Sequence, residues 1–295
     1  MLAPIEIDPD TFLRKHYTLP ALPEVVGRIQ SLIQTAKVGV EEVAALISKD
    51  AATHRQVLKV VNSAYYGPPK EITNVRFAVA FVGLYDIYCI VLTLSIINTL
   101  TTDAREEVNR FWFHSFYTAL CAKCLAKKYE PHLLNARLFL AAMLHDIGKL
   151  VYLKFFPDHY KALSSFCMEH GCLFNEAERL FSLPSSAFLG TLLCDHWRLQ
   201  DEIKWAREFH TLRDLSDAEG NSPATRFGRI ICLANVITTL STEQFNNALR
   251  REIAHTTATA LGCTEPEFWS MMSDIYELRI DVENFMDQFH SNNLK

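Results

Sequence analysis

No apolar run in this 295-residue chain is long enough to cross a bilayer, which takes roughly 20 residues as a helix. The most apolar stretch, IYCIVLTLSII at residues 87–97, is about half that length and follows Asp86, so it reads as a buried helix. The first ten residues, MLAPIEIDPD, carry neither a basic segment nor an apolar one, and no secretory signal is expected. There is no basic excess. Lys and Arg total 29 against 34 Asp and Glu, the net charge is −5 and the pI is about 6.1. The basic residues are scattered, which argues against a nucleic-acid groove and against a polybasic membrane patch. A disulfide framework is absent too. Among the eight cysteines, Cys89, Cys194 and Cys232 fall in apolar helical stretches, where a reduced thiol packs as a small hydrophobe. A reducing, cytoplasmic compartment is the expectation. No Gly-rich phosphate loop, GxSxG elbow, internal repeat or low-complexity segment is found.

Helical periodicity dominates what is there. Val25, Ile29, Leu32, Ile33 and Ala36 share one helix face, and Val40, Val43, Ala44 and Ile47 repeat the pattern after Gly39. Further helices are expected at 54–65, 74–82, 84–100, 103–129, 133–153, 158–170, 174–181, 185–197, 201–212 and 224–240, with a terminal one toward Phe289. Asp103 with Glu106 and Thr264 with Glu267 read as capping boxes, and Ser222-Pro223 as an N-cap followed by proline at N1. Residues 213–222 read as an exposed polar loop. No stretch sustains period-two alternation, so the fold class is all-α. The polar stretch TTDAREE, residues 101–107, marks a boundary between an N-terminal helical subdomain, 1–102, and a second helical part, 103–295.

The string LHDIGK, residues 144–149, carries the chemistry. On a helix His145 and Asp146 stand about 100° apart around the axis, close enough to share one ion at its flank. The dipeptide by itself reads as a polar surface pair. His114, on the preceding long helix, changes the weighing, because an antiparallel return would bring it beside His145. Two imidazoles and a carboxylate with open positions suit one divalent iron, manganese or zinc ion. The alternative for His114 is a core histidine bonded to a carbonyl. Cys121-x-x-Cys124 lies inside a continuous helical pattern with no second CxxC, which favours ordinary helix cysteines over zinc. Asp195-His196 beside Trp197 reads as helix packing, and the aromatic run Phe111, Trp112, Phe113, Phe116 and Tyr117 as burial between two layers. Asn62 and Ser63 sit where a helix ends, where such side chains satisfy backbone groups. With Tyr65 they are the alternative candidates for a partner or subdomain contact.

His114 and His145-Asp146 resemble the start of the H…HD…D signature of HD-type metal-dependent phosphohydrolases. The stretches LPALPEVV (19–26), EEVAALISKD (41–50), NSAYYG (62–67) and AVAFVGLYDI (78–87), in this order, resemble the HDOD family, an HD-related signalling domain of bacteria. The likeness runs over roughly residues 13–240, and departs where Ala51 stands in place of the proline that usually follows the Asp. It implies a multi-helical HD-like fold in which catalysis has usually not been shown. It also implies that the closing aspartate of the signature is Asn235 here, which removes an anionic ligand. Ser186 and Phe209 stand where two-metal enzymes place further histidines, which argues against a two-ion centre. The expectation is therefore a non-catalytic regulatory protein acting through protein partners or through its degenerate pocket. A mononuclear metal-dependent phosphohydrolase is the rival, with His114, His145, Asp146 and Asn235 at the ion and Lys149 meeting a phosphate. The terminal helix, with Trp269, Ile275, Leu278, Phe285 and Phe289, is a candidate to dock on its own core or on a second copy as a homodimer.

Overall fold

The computed structural model describes residues 4–5, 7, 17, 21–34, 39–63, 66–100, 102, 104–133, 136–208, 222–242, 245 and 247–290. Among them are fifteen α-helices and no strand, as the periodicity implies. Tyr65, Asp103, Phe209 and the expected loop at 213–221 fall outside the described residues, as does the side chain of Phe289. Contacts divide the chain into two compact units, one of Pro20–Thr101 with Ile280–Lys295, the other of Thr102–Arg279 with Met1–Leu19.

The first unit contains α1 (Glu24–Gln34), α2 (Val40–Ser48), α3 (Ala51–Val61), α4 (Val75–Val82) and α5 (Leu84–Thr99). Helix α5 is the apolar run noted above. It is hydrophobic all round because it is buried all round, with Ile87, Val91, Leu92 and Ile96 inaccessible to solvent. Among the described residues no single helix is long and apolar enough to cross a membrane, and α4 and α5 meet at a 115° bend. Asp50 caps α3, its carboxylate accepting the N–H groups of Ala52 and Thr53 at 3.1 and 3.2 Å. That cap needs no proline at the next position. The Asn62 amide is spent on backbone. It donates to the Leu58 and Ile72 carbonyls at 2.9 and 2.8 Å and accepts from Ile72 N–H at 2.7 Å, which ties the end of α3 to the segment before α4. Ser63 beside it is buried.

The second unit is built on α6 (Arg105–Tyr129), which packs against α7 (Ala136–Met143) and α13 (Pro223–Thr242). Between them in the chain lie α8 (Gly148–Phe155), α9 (Pro157–His170), α10 (Phe174–Leu180), α11 (Ser186–His196) and α12 (Asp201–Glu208); α14 (Asn247–Leu261) and α15 (Glu265–His290) follow, the latter belonging to this unit as far as Arg279. Phe111, Trp112, Phe116 and Tyr117 of α6 are buried, as the aromatic run suggests. Ser222 accepts from Thr225 N–H at 3.1 Å and Glu267 closes on Thr264 N–H at 2.8 Å, so both of these caps form. Helix α6 instead opens at Arg105, with Ala104 as a cap that offers no side-chain bond. Helix α14 has no counterpart in the periodicity. Its HTTATA stretch is threonine-rich, and only packing of Ile253, Ala254, Thr257 and Ala258 selects it.

The expected helix at 133–153 is two helices, α7 and α8, broken by a turn at residues 144–147. The break lets the backbone of Gly148 press against α11. A Cβ at residue 148 would lie 1.8 Å from the Ser186 carbonyl oxygen and 2.6 Å from the Gly190 nitrogen. Beneath the same crossing Glu178 is 1% exposed and accepts the Ser186 N–H at 2.8 Å. Burial pushes its carboxyl up to about 7, with Asp146 adding to the rise and Ser186 and Lys149 opposing it.

Two outcomes follow from this crossing. Gly148→Ala forces backbone apart where nothing flexible can yield, and should cost about 3 kcal/mol or more in a urea titration. An ordinary midpoint would show that the two helices are not in contact. Glu178 has a folded pKa above its unfolded one, so its contribution is present below about pH 4.5 and is lost as pH rises to about 7. Wild-type unfolding free energy should fall by up to ~3 kcal/mol across that window more steeply than that of Glu178→Gln. Parallel curves would place the carboxylate in solvent.

Candidate metal centre

His145 and Asp146 stand in the turn between α7 and α8, not on a continuous helix. The turn is made by short-range bonds, Ile147 N–H to the Leu144 carbonyl at 3.2 Å and Lys149 N–H to the Asp146 carbonyl at 2.8 Å. His145 replaces a missing helical bond with its own ring, Nδ1–H donating to the Ala142 carbonyl at 2.7 Å. A carbonyl can only accept, so Nδ1 carries the proton and Nε2 is the nitrogen turned toward Asp146. Metal-binding histidines are commonly oriented by the same bond. Both residues are 2% exposed.

Helices α6 and α13 bring the remaining groups. His114 Nε2 lies 2.9 Å from Asn235 Oδ1, and about one turn further along each helix Thr118 and Thr238 share a hydroxyl bond at 2.8 Å. These two polar rungs set His114 over the HD turn, its ring 5.5 Å from that of His145. The imidazole is therefore bonded to a carbonyl, that of the Asn235 side-chain amide. Asp146 Oδ2 is the common point. It lies 3.4 Å from His145 Nε2, 3.8 Å from His114 Nε2 and 2.5 Å from Lys149 Nζ. Lys149 also stands 5.2 Å above the Phe174 ring. Burial holds the His114 imidazolium down to about pH 3, helped by the neighbouring His145 and Lys149 and opposed by Asp146 and Asn235, so the ring is neutral in ordinary buffer.

One atom each from His114, His145 and Asp146 lies within 4.8 Å of the others. That donor set fits one divalent ion, which would supply a Lewis acid and an acidified water. Among the described residues no second cluster of such donors lies beside it. Ser186 is buried, and its N–H is bonded to Glu178. Lys149, a phosphate contact only in the phosphohydrolase reading and otherwise a solvated helix lysine, has its ammonium on the Asp146 carboxylate. Glu178 was missed altogether. The signal available was a glutamate eight residues before the Ser186 N-terminus of α11, which does not by itself reveal burial. Asn62 and Ser63 belong to the other unit, and Asp195 pairs with Lys204 at 2.6 Å.

A family model described as the HDOD domain matches residues 19–212. An uncharacterized protein of Treponema pallidum (strain Nichols) is 28% identical over 193 residues, 65% of this chain but 37% of that protein. The chain thus spans little more than a third of that relative's length. Among solved structures, an HDOD domain protein with unknown function from Geobacter sulfurreducens matches with a TM-score of 0.72 at 22% identity, over 94% of this chain and 96% of that one. A protein of Shewanella amazonensis SB2B, provisionally named a phosphohydrolase, matches with a TM-score of 0.70 at 19% identity, over 94% and 97% of the two chains. At these identities the structural likeness shows a shared fold.

Proposed function

This chain belongs to the HDOD domain family, and on that premise we propose that it is a non-catalytic signal-transduction protein whose degenerate HD pocket is closed by its own cation, Lys149. The observation that carries the reading is the ammonium at 2.5 Å from Asp146 Oδ2, the oxygen that also faces both histidines. A buried carboxylate needs a positive partner, and here the chain supplies it. An ion entering among His114, His145 and Asp146 has to displace that ammonium. It also has to break the bond between His114 and Asn235, because a neutral amide bonded to Nε2 leaves that nitrogen no lone pair to offer. Asn235 brings no charge in return. In this reading the chain works in the cytoplasm through protein partners, a second copy among the candidates, and the pocket serves structure or sensing instead of hydrolysis.

One observation favours a second reading, a mononuclear phosphohydrolase. The three ligand atoms lie within 4.8 Å, and the His145 tautomer suits a metal. The provisional name of the Shewanella amazonensis protein points the same way.

Metal analysis and titration with Mn²⁺ separate the two. The wild-type chain should purify with little metal, bind Mn²⁺ weakly and turn over no substrate in a phosphodiesterase and nucleotidase panel. Asn235→Asp adds an anionic donor and Lys149→Met removes the competing cation, and each should tighten Mn²⁺ binding by roughly tenfold or more, about 1.4 kcal/mol. Stoichiometric metal in the wild type, with turnover lost together with metal in His145→Ala and Asp146→Ala, would establish the enzyme instead.

A further inference from the structure

Helix α9 ends in the sequence CMEHGC, and its last turn is closed by a left-handed residue. Gly171 adopts φ 63° and ψ 36°, and its N–H bonds back to the Cys167 carbonyl at 2.8 Å. Glycine takes this conformation without the steric cost that a side chain brings. The reversal returns the next residue, Cys172, across the end of the helix it has just left. The Cys172 thiol donates to Cys167 Sγ at 4.0 Å. Both cysteines are partly exposed, whereas Cys89, Cys121, Cys194 and Cys232 are buried. The pair thus joins the two things a reactive dithiol needs, proximity and access.

We propose that Cys167 and Cys172 form a redox-active dithiol, closed to a disulfide by small-molecule disulfides and reopened by thiols. One thiolate attacks the small disulfide, forming a mixed disulfide and releasing one small thiol. The second protein thiolate attacks the protein sulfur of that intermediate and expels the other small thiol. The pair gives up two electrons and two protons, and the oxidant becomes two thiols. Closure requires the sulfurs to move from 4.0 Å to about 2.05 Å. The bridged loop is short, so its chain-entropy stabilisation lies at the low end for a disulfide. Phe174, whose ring lies under Lys149 Nζ, begins α10 two residues after Cys172. The dithiol stands whether or not the pocket binds metal.

The test uses the intact folded protein, equilibrated with oxidised and reduced glutathione, quenched in acid and alkylated. Trypsin cuts after Lys161 and Arg179, so the peptide 162–179 contains both cysteines and no other. The expected product is that peptide lighter by two hydrogens and carrying no alkyl group, converted back by dithiothreitol. Its disulfide-to-dithiol ratio should be roughly tenfold or more above that of the urea-unfolded chain in the same buffer, because folding holds the sulfurs together. A doubly alkylated peptide, two separate glutathione adducts, or equal ratios in the folded and unfolded chains would overturn the proposal.

Discussion

The buried carboxylate of Asp146 is the constraint around which the second unit is arranged. At 2% exposure it is stable as an anion only with positive charge or donors at close range. The chain meets that demand with Lys149, from the next turn, while His145, from the preceding residue, and His114, from a helix distant in sequence, face the same oxygen. Asp146 and Lys149 are three residues apart, a spacing at which side chains meet on a continuous helix as well as across this turn.

The supports of that turn lie outside the pocket. Gly148 permits backbone-to-backbone approach to α11, and the start of α11 is in turn held by the carboxyl of Glu178. On the other side, α13 presents Asn235 to His114 and Thr238 to Thr118. Asn235 changes the electrostatics without removing the contact. An aspartate there would add a second negative charge and call for a cation; an amide satisfies the imidazole and leaves one carboxylate against one ammonium. A neutral His114 ring, a neutral amide and the Asp146–Lys149 ion pair make a locally balanced site. A pocket prepared to accumulate positive charge would carry more anionic donors.

Legibility in the sequence varied with the range of the forces involved. Helix α5 could be read because its apolar residues occupy every face, and the starts of α13 and α15 because their caps act over three residues. Helix α14 could not, since threonine has a weak preference for helix and the deciding contacts come from elsewhere. The break at 144–147 was hidden for the same reason, because HDIGK interrupts no apolar period. The need for glycine at 148 was hidden too, because only the fold brings the backbone of α11 against it. Asn62 shows both limits. Its place at a helix end was visible, but its bonds to Ile72, ten residues on, were not.

By itself, then, the sequence determined the all-helical class, most helix positions and the chemical inventory, two histidines, one aspartate and an asparagine where a further acid would complete the signature. Those are properties of local spacing and of residue type. Tertiary structure alone decided that Asn235 engages His114, that Thr118 meets Thr238 and that Gly148 abuts the backbone of α11. Each is fixed by packing between parts of the chain far apart in sequence, which no local pattern can see.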